Sequence, residues 1–269
     1  MIQAACAGGA DFLSAIDWSR PWLEALLPCA RRVLAEADWR AALNEAAAAA
    51  ALCNHRGLPI RFVPQEDLPR SVAYESFIDA TGMVPTRSNL HDFFNALIWL
   101  RFPEIKRALN RLQGAEIAQA EAQGLHSRGR LRDAATIFDE NAALVVTFDK
   151  AWVQALRDRH WRDALLDDRD RFGNKVQVTL FGHALLEKLV SPYKAITAHA
   201  WVVPVTPAFF SRPPESQCAW LDSIVSRQIT GGFSTQEFTP LPVLGVPGWF
   251  PGQDVGFYAD ETVFRPFRK

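Results

Sequence analysis

A chain of 269 residues suits one large domain or two small ones, and a domain of that size buries enough surface to fold without disulfides or a metal. With 49 % hydrophobic and 22 % charged residues, the composition excludes a disordered, collagen-like or disulfide-scaffold chain. Lys plus Arg number 29 against 30 Asp plus Glu, so no global field draws the protein to nucleic acid or to an anionic membrane.

Cys6, Cys29, Cys53 and Cys218 are too widely spaced for a C-x-x-C or zinc-ribbon motif, and they read as small buried hydrophobes. The N-terminal residues lack the charged and apolar regions of a secretory signal, and no apolar run reaches membrane-spanning length. A cytoplasmic location is therefore expected.

Residues 18–53 read as helical, with Pro21 suited to a first turn and a second helix from about residue 38 to 53 built on Ala46 to Ala51. Residues 59–64 are β-prone and bracketed by prolines, which predicts an edge strand. A helix over 72–80 should stop at Gly82. Residues 88–121 predict a helix–corner–helix unit. Asn89 caps it, Leu90, Phe93, Phe94, Leu97 and Ile98 form its apolar stripe, and Pro103 starts the second helix. Residues 134–148 read as a β-hairpin turning at Asp139-Glu140-Asn141-Ala142. A helix over 150–166, a solvated loop over 167–171, a strand over 176–181 and a helix over 183–190 follow. A strand over 195–205 and a helix over 214–229 come next. From Pro240 onward, prolines, glycines and aromatics without a period predict an irregular strap, which could also wall a pocket. The expected fold is α+β: one mostly helical domain over 1–269 with a small antiparallel sheet. It divides into a helical part over 1–57, a core over 58–239 and a strap over 240–269.

One long string, Val84-Pro85-Thr86-Arg87-Ser88-Asn89-Leu90-His91-Asp92-Phe93-Phe94-Asn95-Ala96-Leu97, is followed by Trp99, Phe102-Pro103 and Lys106. Together with Phe138-Asp139-Glu140-Asn141, the run 181–188 and Leu244-Gly245-Val246-Pro247-Gly248-Trp249, it resembles the bacterial domain-of-unknown-function family 3025. The resemblance covers roughly residue 60 to the end. It implies a stand-alone bacterial protein and carries no activity or residue roles.

The candidate chemistry therefore comes from the residues themselves. His91 and Asn95 stand four apart on one helix face, with Asp92 beside them, and are expected as catalytic groups together with His199. The plainer alternative makes Asp92 a first-turn acid favoured by the helix dipole and His91–Asn95 a structural pair. His183 and Glu187 repeat the four-residue spacing. With His199 from the following strand they would make a His₂Glu set for a divalent metal, Zn or Mn, unless they form only a carboxylate–histidine hydrogen bond. Asp139 and Glu140 are explained by the hairpin turn alone. Residues 101–132 hold seven Lys or Arg against three Glu, so Arg87, Lys106, Arg128, Arg130 and Arg132 are expected to bind an anion, or else form a solvated basic face. The sequence contains no phosphate-binding loop, dinucleotide fingerprint or nucleophile elbow. The expected function is a hydrolase, with or without a metal, acting on a phosphate-bearing small molecule or nucleic acid. The alternative is a non-catalytic binding or adapter protein.

Overall fold

The computed structural model describes residues 11–124 and 129–267. Its helices and strands in chain order begin with α1 (Leu27–Leu34), α2 (Trp39–Ala49), β1 (Arg61–Val63), α3 (Tyr74–Thr81) and β2 (Met83–Pro85). Next come α4 (Leu90–Arg101), α5 (Pro103–Ala122), α6 (Arg130–Asn141), β3 (Ala142–Thr147), α7 (Lys150–Arg157) and α8 (Trp161–Leu165). The chain continues through β4 (Val176–Leu180), α9 (His183–Lys188), β5 (Thr197–Pro204), α10 (Pro214–Thr230), β6 (Thr239–Pro242) and α11 (Val255–Tyr258). One hydrophobic cluster runs through it from Leu13 to Phe264, as the mostly helical α+β reading expects. Among the described residues no helix is long and apolar enough to cross a membrane.

The local signals that held are capping and steric ones. Asp38 accepts from the backbone N–H of Arg40 and Ala41 and starts α2, which ends at Ala49 rather than Cys53 because Ala51 turns left-handed at φ 47°. Gly82 ends α3 at φ 75°, and a Cβ there would stand 2.4 Å from the Pro59 carbonyl oxygen, so only glycine lets β1 pair alongside β2. Asn89 Oδ1 accepts from Asp92 N and caps α4. Phe102 and Pro103 then turn the chain into α5, whose free Glu104 and Ile105 N–H groups donate to the Asp222 carboxylate from α10. α4 is more enclosed than its single stripe suggested, being buried from Asp92 through Trp99.

Four expectations are corrected. Residues 134–148 are not a hairpin: α6 runs through Asp139 to Asn141 and β3 follows directly. The β-branched Thr136-Ile137 pair suggested strand. The helix wins because Ala134, Ala135 and Phe138 pack inward at helical spacing, Phe138 against Phe181, Trp201 and Phe233. The four-stranded sheet is mixed rather than antiparallel. Its order is β4-β3-β5-β6, with β3 parallel to β5 and the outer pairs antiparallel. The helix over 150–166 is two helices, broken where Arg159 takes φ 57°. The strap opens as strand β6, whose Pro240 and Pro242 are tolerated because it is an edge strand paired only with β5. The rest of the strap is held by aromatic contacts among Phe250, Phe257, Tyr258 and Phe264.

Candidate active site

Two helices bring the histidines together. His91 lies in the first turn of α4, held there by the Asn89 cap. His183 opens α9, and Glu187 follows one turn later on the same face. This pair closes on His91. Glu187 Oε2 is 2.9 Å from His91 Nδ1, and His183 Nε2 is 3.1 Å from His91 Nε2, with the rings edge to face. His183 is buried, whereas the His91 and Glu187 side chains are 32 % and 41 % exposed.

The third member of the expected metal set is elsewhere. The β5 face that carries His199 and Trp201 turns toward Phe238, 5.6 Å from the His199 ring centroid, and His199 does not line the cavity of His183. Among the described residues no three His, Cys, Asp or Glu are grouped to hold a metal ion. His199 is thus removed both from the catalytic set and from the metal set.

Behind the histidines lies a second array, built on the buried Lys106, Asp139 and Asn95. Lys106 Nζ donates to both Asp139 oxygens at 2.7 and 2.8 Å and to Asn95 Oδ1 at 2.8 Å, and it lies 5.3 Å from the Trp99 ring. Asn95 Nδ2 donates to the Tyr74 hydroxyl at 3.0 Å. Asp139 Oδ1 is 3.9 Å from His183 Nδ1, a buried nitrogen with no hydrogen-bond partner among the described residues. Burial opposes charge on Asp139, but the Lys106 ammonium with the nearby His183 and His91 rings together outweighs it and holds the carboxyl below the ordinary value. Burial also dominates at His183, pushing its pKa down to about 4 against the pull of Asp139. His183 is therefore neutral at pH 7.

Tautomers follow from these partners. With its proton on Nδ1 facing the Glu187 carboxylate, a neutral His91 offers Nε2 to His183. His183 Nδ1 stands enclosed beside Asp139.

The depressed His183 pKa has a stability consequence. The unfolded chain takes up this proton at the ordinary value of 6.5, the folded chain only near 4, so acid favours the unfolded state across that window. Stability should fall by about 3 kcal/mol as pH drops from 6.5 to 4. Urea unfolding at stepped pH checks this, and His183→Gln should remove that part of the slope.

The histidines open on a cavity of about 390 Å³, lined by Tyr74 and Glu75 of α3, by Arg87, His91, Asp92 and Asn95, by Arg132, Thr136, Asp139 and Glu140 of α6, and by His183, among others. The expected anion binders divide. Lys106 is saturated by Asp139 and Asn95 and offers nothing to a ligand. Arg87 donates in a fork to Asp92, whose carboxylate also accepts from Arg87 N. Asp92 is thereby the first-turn structural acid of the plainer reading. Arg130 is exposed and lines none of this cavity, and Arg128 lies outside the described residues. Arg132 lines it, with no hydrogen bond or ion pair at its guanidinium among the described residues. A larger cavity, about 650 Å³, lies at the strap beside Arg159, Glu261 and Arg265 and holds no histidine.

Sequence reasoning missed Asp139, Tyr74 and Glu75 as site residues. Asp139 was legible through spacing alone: Arg132, Thr136, Asp139 and Glu140 recur at helical intervals, a pattern a hairpin reading discards.

A family model described as a protein of unknown function (DUF3025) matches residues 60–268. No curated protein and no solved structure matches the chain.

Proposed function

The chain belongs to the DUF3025 family, which brings no activity with it, and we propose from the site alone that it is a hydrolase working by general acid–base chemistry on a small polar molecule. The observation that carries this is the hydrogen-bonded series Glu187–His91–His183, whose two histidines line a polar cavity. A base held by a second group that is itself held by a third is the arrangement that proton transfer needs. Glu187, 41 % exposed, takes a proton from water as its oxygen attacks, while His91 holds the carboxylate through Nδ1 and His183 holds His91 at Nε2. The reverse passage returns the proton to the leaving group. Burial pushes the Tyr74 hydroxyl well above its ordinary pKa, so it keeps its proton and can donate to the developing oxyanion. A cytoplasmic setting goes with this reading, since Cys29, Cys53 and Cys218 are free thiols.

A binding protein without turnover draws on a different observation: both His91 nitrogens are already engaged within the protein. Hydrolysis of p-nitrophenyl acetate, p-nitrophenyl phosphate and alanine p-nitroanilide separates the two. His183→Gln and His91→Gln should each lower kcat/KM on any probe turned over by roughly 10²–10⁴-fold. Equal turnover in both variants, or none by the native protein, leaves the binding reading.

A further inference from the structure

The ligand class of this cavity can be read from the charges left over once the internal pairs are removed. Arg87 cancels Asp92, Lys106 cancels Asp139, and Glu187 faces His91. Glu75 Oε2 accepts from Asn110 at 2.7 Å, and burial raises its carboxyl above the ordinary value against the pull of Lys106 and Arg132. Two ionic groups of the lining remain without a hydrogen bond or ion pair among the described residues: the Arg132 guanidinium and the Glu140 carboxylate. Both belong to α6, at i and i+8 with Thr136 between them, so all three lie on one stripe of the helix and along one wall of the cavity. Eight residues at about 1.5 Å each put the two Cα atoms about 12 Å apart.

We infer that the cavity binds a small zwitterion of dipeptide length, its carboxylate on Arg132 and its ammonium on Glu140. The inference rests on the acid–base reading for its relevance to catalysis, but not for the binding itself. A phosphate dianion fits less well, because the lining leaves one free guanidinium for its two charges and sets the unpaired Glu140 carboxylate on the same wall. An extended dipeptide separates amine from carboxylate by about 7 Å, within the about 12 Å between the two Cα atoms.

The test uses the full chain and four probes: alanylalanine, N-acetyl-alanylalanine (no ammonium), alanylalanine amide (no carboxylate) and inorganic phosphate. Binding is read by saturation-transfer NMR and calorimetry. Alanylalanine should bind, and each capped form should bind about tenfold or more weakly, the usual scale for losing a charged hydrogen bond. Arg132→Gln should cost the free dipeptide that factor while leaving the amide unchanged. Glu140→Gln should do the same with the acetylated form unchanged. Unchanged melting temperatures confirm that both variants fold. Equal binding of the capped forms, tighter binding of phosphate than of the dipeptide, or no dipeptide binding at tens of millimolar overturns the inference. His183→Gln keeps the two proposals apart. Dipeptide binding retained without histidine-dependent turnover leaves this inference standing and removes the hydrolase reading, whereas turnover of a chromogenic probe without dipeptide binding does the reverse.

Discussion

Lys106→Met should lower stability at pH 7 by about 3–5 kcal/mol, read from urea unfolding. The methionine fills much the same space, so the loss is electrostatic: Asp139 remains buried with its cation gone, and Asn95 Oδ1 loses its donor. Breaking one partner of a buried pair is costly because the remaining charge has neither water nor counter-ion. The sign with pH follows from Asp139, whose carboxyl is held below the ordinary value in the native protein. Its contribution is present above the ordinary carboxylate range and disappears as acid protonates it. In the variant burial alone acts on Asp139 and raises it, so the variant should approach the native protein as the pH falls and this carboxyl takes up a proton, while the native pair stays ionised to below the ordinary carboxylate value. The double variant Lys106→Met with Asp139→Leu should recover most of the loss, since two apolar groups strand no charge. A penalty below about 1 kcal/mol at pH 7 would show that water reaches the pair.

Gly182→Ala should be the most damaging small substitution near the site, costing about 3 kcal/mol or more. Its backbone is not the obstacle, since φ is −60°. The obstacle is space. The added carbon would stand 2.4 Å from the Glu140 carbonyl oxygen, 2.5 Å from Asn141 N and 2.6 Å from Asn141 Cα. All three are backbone atoms at the C-terminal end of α6, where no side chain can swing aside. Relief requires α9 to move away from α6, which pulls His183 off Asp139 and disturbs its contact with His91. The His91–His183 coupling should vanish from the imidazole ¹⁵N spectrum along with the stability. Gly248→Ala is the contrast: nothing lies within 4 Å, so only its left-handed φ of 83° is penalised, at about 1 kcal/mol. Equal losses in the two variants would mean that close helix contact is not what Gly182 provides.

What the sequence by itself determined were the features set within one element. The Asn89 cap, the Phe102-Pro103 corner and the Gly82 stop are local, because caps, proline sterics and left-handed glycines act over a few residues. The same holds for the pairing of directions: His183 and Glu187 share a face of α9 because four residues return a helix to the same side. What that face meets was not legible. Its partner, His91, is 96 residues from Glu187 and 92 from His183, and only the packing of α4 on α9 brings them together. The sequence suggested a metal because ligand types and spacing carry no information about what stands opposite. His199 shows the same limit, since alternation grouped it with Trp201 correctly, while the sheet turned that face toward Phe238. Residues 134–141 mark the sharpest division. Thr136 and Ile137 favour a strand locally, and the tertiary structure overrode them because the helix buries Phe138 among four aromatics and delivers Asp139 to Lys106. Local preference there amounts to tenths of a kcal/mol per residue, while the burial and charge pairing that only the folded chain supplies amount to several.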